Sequence, residues 1–249
     1  MKFIKSVHRH GSETFLLIVK DEISLETKNI IKSSTSENGI NSIKSEAEGI
    51  DWYNNLSKNK IKYNLEKKTK NYYIINIDAN KGFFNIIFNA NYLNVKKYLD
   101  LTITHYIEIW RDYKGHEFAP FHGDISLIGN VMFNKADEVL FIDWEHFDNN
   151  FKVPTGLDII MLLLENVFHD LNRTKKLNDN VINQVANSIK TLNDAKLLSP
   201  LLFKNPAMST LNFIKLNSDI WNKQYFKLPI LKFTKNNIEE IDDSISKIL

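Results

Sequence analysis

The sequence predicts an α+β protein of two lobes, a small β-rich lobe over residues 1–80 and a larger helical lobe over residues 81–249. Three observations lead there. The first 80 residues hold short apolar, β-branched runs separated by polar turns, with a single stretch of helical spacing. From Tyr92 onward the apolar residues recur mostly at helical intervals. The chain has 249 residues, room for one large domain or two small lobes at roughly 100–200 residues per domain.

In the first lobe the runs at 3–7, 14–19 and 28–33 read as strands. Residues 40–56 switch to helical spacing, with Ile40, Ile43, Ala47, Ile50 and Tyr53 on one side. Two further strands are expected at 61–65 and 72–77. The second runs into Asp78-Ala79-Asn80-Lys81-Gly82, a turn-rich cluster, which makes 72–82 the natural hinge. Residues 92–113 predict one or two helices. Short strands at 131–133 and 139–142 bracket a turn at 134–137. Helices are expected at 157–171, 178–192, 209–226 and 238–248. No internal repeat or low-complexity linker interrupts the order.

Composition narrows the function. Hydrophobic residues make up 43% of the chain, enough for a proper core and against disorder. The formal net charge of +2 offers no footprint for nucleic acid. There is no cysteine, which excludes disulfides, thiolate metal sites and cysteine nucleophiles. With scattered histidines as well, a zinc site has no ligand set. The apolar run 159–164 is far short of the ~20 residues that cross a bilayer. The start of the chain has basic residues without an apolar core, unlike a secretory signal, so the expected compartment is the cytoplasm.

The chemistry concentrates in FHGDISLIGNVMF and the following VLFIDWEHF. Asp124 stands just after a His-Gly turn, Asn130 on the same loop before an apolar strand, and Asp143 at the end of the next strand. A hairpin-like return would gather Asp124, Asn130 and Asp143 at one end of the strand pair. Phosphoryl transfer needs such a set: one carboxylate to orient the attacking hydroxyl and accept its proton, and an Asn with a second carboxylate for Mg²⁺. A β-hairpin with acidic turn residues is the plainer alternative.

These two motifs resemble the catalytic and metal motifs of the aminoglycoside phosphotransferase / choline kinase family, which has a protein-kinase-like fold. The resemblance implies an ATP-dependent small-molecule kinase that uses Mg²⁺, with Asp124 as catalytic base and Asp143 and Asn130 as metal ligands. His122 would be a structural residue of the catalytic loop, and Asp158, in Thr155-Gly156-Leu157-Asp158, the downstream aspartate that braces that loop. One departure stands out. The kinase catalytic loop places its metal Asn five positions after the base; here that position is Gly129, and Asn130 is sixth. Gly129 is expected to absorb the extra residue as a bulge.

A kinase-like site also needs a strand lysine for the phosphates and a helix glutamate to hold it. Lys32 ends a short strand just before the helix, and Lys20 is its rival further upstream. In SEAEGIDWY, Glu46 precedes Trp52 by six positions, the spacing of the family's first helix, so Glu46 is preferred to Glu48. The loop His8-Arg9-His10-Gly11-Ser12 falls where a phosphate-covering turn would lie, though it has one glycine only. Glu145 follows Asp143 by two positions, so on a strand both carboxylates would share a face. It is read as a metal or substrate ligand or as an exposed turn residue. Trp144, His146, Phe147, Trp110, Trp221 and Tyr225 are expected in the core, and are also the aromatics that could cage a cationic substrate. A kinase-like binding protein without turnover is the alternative function. The acceptor, whether sugar, amino alcohol or aminoglycoside, is not specified by any residue between 159 and 249.

Overall fold

The structure is a computed structural model. It describes residues 3–8, 13–20, 27–79, 82–84, 92–127, 129–217 and 235–249. These residues form an α+β protein whose β-sheet is N-terminal and whose C-terminal part is helical. The chain divides into two compact units. The first comprises Met1–Phe84, His122–Asp124 and Met132–Asp148, and the second comprises Asn85–Phe121, Ile125–Val131 and Asn149–Leu249. The units therefore interleave along the chain, where the sequence suggested a single division after residue 80.

The first unit is built on strands β1 (Phe3–His8), β2 (Phe15–Lys20), β3 (Thr27–Ser34), β4 (Tyr63–Thr69) and β5 (Tyr72–Asp78). They form one antiparallel sheet in the order β1-β2-β3-β5-β4. Helix α1 (Glu37–Leu56) connects β3 to β4. Ser36 caps α1, its side chain accepting the Gly39 amide. Ile40, Ile43, Ala47, Ile50 and Tyr53 form the buried face that their spacing predicts, joined by Gly39, Glu46 and Gly49. The Asn54 side chain then donates to the Ile61 carbonyl and accepts the Ile61 amide, each at 2.8 Å, which steers the chain back into β4. Strand β5 is interior to the sheet, between β3 and β4; residues 72–78 are thus sheet core and not part of a hinge.

The same unit contains most of a second strand pair, β7 (Val131–Phe133) and β8 (Val139–Phe141). Asn134 makes the turn between them. Its carbonyl accepts the Asp137 amide at 3.1 Å, while its side-chain oxygen accepts the amides of Ala136 at 2.9 Å and Glu138 at 3.0 Å. Asp137 adopts φ 59°, the left-handed conformation such a turn requires.

The second unit contains α2 (Tyr92–Ile109), a 3₁₀ turn at Arg111–Tyr113, and the two-stranded pair β6 (Phe118–Phe121) with β9 (Asp148–Pro154). Helices α3 (Leu157–Thr174), α4 (Asp179–Asp194), α5 (Pro200–Lys204), α6 (Pro206–Leu216) and α7 (Lys235–Ser246) follow. Helix α3 is apolar on most sides and is packed by α4 and α6. Asp242 of α7 caps α6, accepting the amides of Ala207 and Met208 at 2.8 Å each. Pro206, at the start of α6, has no amide of its own to satisfy. Trp110 is fully buried, stacks on Tyr106 and donates its indole N–H to the Pro120 carbonyl. Among the described residues no helix is long and apolar enough to cross a membrane.

Three elements were not anticipated. Strand β6 is four residues with a proline, β9 opens Asp-Asn-Asn and ends in proline, and α5 is a single turn. Such compositions read as loops, because their pairing is fixed by partners remote in sequence. The expected helix at 209–226 runs from Pro206 to Leu216. Its remainder, with Trp221 and Tyr225, lies outside the described residues, as do positions 9–12 of the candidate phosphate-covering loop.

Candidate functional site

Strand β8 ends at Phe141, and the chain runs irregularly into a turn closed by the Phe147 amide on the Trp144 carbonyl at 3.0 Å. Asp143 takes φ 66°, a left-handed conformation that aspartate tolerates better than most side chains. The Trp144 indole folds back to donate to the Phe141 carbonyl at 3.0 Å. Its ring lies among Trp52, Tyr53, Phe147 and His122, with centroids 4.2 to 5.8 Å away. Trp144 is thus a peg set against α1, while its neighbours Asp143 and Glu145 both reach Lys32. The two carboxylates converge because the backbone turns between them. They lie beyond the strand, so the strand alternation expected from their spacing is not what places them on one side.

Lys32 sits on β3 opposite Leu16 of β2 and Ile75 of β5, and is 5% exposed. Its ammonium contacts three carboxylates: Glu46 of α1, Asp143 at 2.5 Å and Glu145 at 3.3 Å. Glu46 is 1% exposed, and Asp143 and Glu145 are nearly buried. Burial alone would lower the Lys32 pKa, but Asp143, Glu46 and Glu145 reverse this and hold it above the ordinary lysine value. Burial, with Asp143 and Glu145 adding to it, pushes Glu46 up to about 7 against the pull of Lys32. Oxygens of Glu46, Asp143 and Glu145 lie within 4.8 Å of one another, close enough to share one cation.

His122 is completely buried against Trp144. Its Nε2 is 3.1 Å from the Ile142 carbonyl, and its Nδ1 accepts the Asp124 amide at 3.3 Å. These two bonds require the neutral ring with the proton on Nε2. Burial lowers its pKa to about 3, Asp143 and the Ile142 carbonyl opposing. Gly123, between His122 and Asp124, has φ 90°, and a Cβ there would come within 2.5 Å of the His146 Cβ. Glycine is required on both counts. Asp124 is exposed.

Of the residues singled out by the sequence, Lys32, Glu46, Asp143 and Glu145 form one cluster, and the His122 ring ties the Asp124 amide to the carbonyl of Ile142, the residue before Asp143. Lys20, the rival lysine, pairs opposite Thr27 at the far end of β2. Asn130 and Asp158 belong to the second unit. Asn130 is buried, its amide bonded to the Ser126 carbonyl, which also accepts the amide of Val131. Gly129 has no left-handed φ, and a Cβ there would meet nothing closer than 3.9 Å. The longer loop is therefore taken up by a turn on Ser126, not by glycine-specific geometry at Gly129. Asp158 is buried in the first turn of α3; its carboxylate, after burial itself, helps hold the Tyr106 phenol well above its ordinary pKa.

What sequence reasoning missed is Gly49. A Cβ on it would lie 2.7 Å from the Trp144 Cβ and 2.8 Å from the Phe147 Cβ. A glycine in mid-helix, three residues from Glu46, was the available signal.

Compared with protein-family models and with curated protein sequences, the chain matches none.

Proposed function

We propose that this protein is an ATP- and Mg²⁺-dependent phosphotransferase of protein-kinase-like fold that phosphorylates a hydroxyl of a small molecule, as its motifs' likeness to the aminoglycoside phosphotransferase / choline kinase family implies. The observation that carries the reading is the meeting of Lys32 on the third strand with Glu46 on the following helix and with Asp143 of the Ile-Asp-Trp-Glu motif. A kinase requires a third-strand lysine, a helix glutamate and a metal-binding aspartate. Nothing in composition or spacing alone would bring those three, 14 and 111 positions from Lys32, together.

The donor set fits the metal. Three carboxylates share one ammonium, and hard oxygen ligands with surplus negative charge suit Mg²⁺. Asp143 is its principal ligand in this reading, Glu145 is placed to assist, and Asn130 is assigned by the motif. When bound, the ion would neutralise charge on the transferring phosphoryl group. Lys32, oriented by Glu46, steadies the phosphates. Asp124 orients the acceptor hydroxyl and takes its proton, and neutral His122 holds the Asp124 backbone in place. Positioning and electrostatics supply most of the rate, since little covalent chemistry falls to the protein.

An ATP-consumption screen over sugars, amino alcohols and aminoglycosides tests the activity and identifies the acceptor. On the acceptor found, Asp124→Asn is expected to lower kcat by about 10²–10⁴-fold, the usual contribution of a positioned base. Unchanged turnover would reassign the base. The six-position spacing from Asp124 to Asn130 favours one other reading, a nucleotide-binding protein without turnover. That reading is selected if ATP and Mg²⁺ raise the melting temperature while no acceptor supports ATP consumption.

A further inference from the structure

An ammonium group has three N–H donors. In Lys32 all three have a carboxylate within reach: Glu46, Asp143 at 2.5 Å and Glu145 at 3.3 Å. A lysine bonded in this way has no donor left for a phosphate. Its three partners are also the group whose oxygens could share one metal ion. One ammonium and one divalent cation cannot both occupy the centre of the same carboxylates, since like charges at contact distance repel strongly even in a partly solvated site. One of the two has to yield.

We infer that Lys32 is a built-in counter-ion of the three carboxylates, and that a divalent cation displaces its ammonium from Asp143 and Glu145 while Glu46 keeps it. This rests on the phosphotransferase reading for the identity of the cation. Displacement frees two of the three Lys32 donors for phosphate oxygens. The cation therefore comes first and prepares Lys32 for the nucleotide, and without it the lysine is sequestered. The arrangement also resolves the charge problem of the unliganded protein, because three nearly buried carboxylates without a cation would be strongly destabilising.

Two measurements test this without turnover. The first is reductive methylation of the whole protein followed by mass spectrometry. Lys32 is expected to resist labelling in chelator-treated protein and to become labelled as Mn²⁺ or Mg²⁺ is added, with the midpoint of metal binding itself. The second is Tb³⁺ luminescence sensitised by Trp144 and Trp52. Lys32→Gln removes the competing charge and is expected to bind Tb³⁺ at least about tenfold more tightly than wild type, whereas Lys32→Arg keeps the charge and the weaker binding. Asp143→Asn should abolish the sensitised signal.

If Lys32→Gln does not fold, the labelling of wild type decides alone. Lys32 that stays protected at saturating metal, a Lys32→Gln variant that binds no tighter than wild type, or a protein that binds no metal in either form each overturns the inference. Labelling that follows metal occupancy in a protein that consumes no ATP with any acceptor upholds the displacement and removes the phosphotransferase. ATP consumption with Lys32 protected throughout does the reverse.

Discussion

His122 donates to the Ile142 carbonyl and accepts the Asp124 amide, so only its neutral form satisfies both contacts. Burial lowers its pKa to about 3, below the unfolded value of about 6.5. A depressed native pKa means that the unfolded chain takes up the proton first as pH falls. Stability from this residue is complete above pH ~6.5 and declines towards pH ~3 by up to about 1.4 kcal/mol per pH unit. Wild type is expected to lose about 2 kcal/mol from this source between pH 6.5 and 5, and a non-titrating His122→Gln variant to lose that much less over the same interval. Urea unfolding at the two pH values measures the difference, and parallel losses in both proteins would show that His122 is not the group responsible. The pairing of a His-Gly-Asp turn with a later Ile-Asp-Trp-Glu was legible because both motifs are contiguous. The meeting of Glu145 with Lys32 was not legible, because it accompanies the left-handed φ of Asp143, which spacing does not encode; the spacing offered only a shared face with Asp143.

Helix α1 carries Glu46 to Lys32, and its seating is decided one turn further along by Gly49. Replacing an interior helical glycine with alanine normally favours the helix by about 1 kcal/mol. At Gly49 the added methyl would meet the Cβ atoms of Trp144 and Phe147, which are fixed to their backbones and cannot rotate aside. Gly49→Ala is therefore expected to destabilise the protein by about 1–3 kcal/mol and, by tilting α1 outward, to weaken the ATP binding that the proposed phosphotransferase function requires. Calorimetric melting with a nucleotide titration checks both effects. A variant more stable than wild type would mean that α1 yields without strain. The helix itself was easy to read, since Ile40, Ile43, Ala47, Ile50 and Tyr53 repeat on one face, though its start at Glu37, set by the Ser36 cap, was not. The strand pair β6–β9 was not, because four residues with a proline have no periodicity of their own and gain their conformation from each other.

At the scale of the chain, the first unit is not the first 80 residues. It takes up His122–Asp124 and Met132–Asp148, and these segments supply much of what α1 packs against. Tyr53 lies against Phe141 and Trp144, Trp52 against Trp144 and Phe147, and two of the three carboxylates on Lys32 come from the same later segment. A linear reading divides the chain where periodicity changes, and so cannot see strands that return to an earlier unit. The interleaving has a measurable consequence. A fragment of residues 1–84 contains all five strands of the sheet and α1, yet it exposes the apolar face that Phe141, Trp144 and Phe147 cover. Burial of each large side chain is worth about 1.5–3 kcal/mol, and a small unit has only about 5–15 kcal/mol of net stability to lose. The fragment is expected to retain some helix and strand by circular dichroism but to bind a hydrophobic dye and melt without a cooperative transition. The full chain should melt cooperatively under the same conditions. Well-dispersed amide resonances and a sharp melt in the fragment would mean that the sheet and α1 hold Tyr53 in place unaided, and that the later segments are added to a unit already folded.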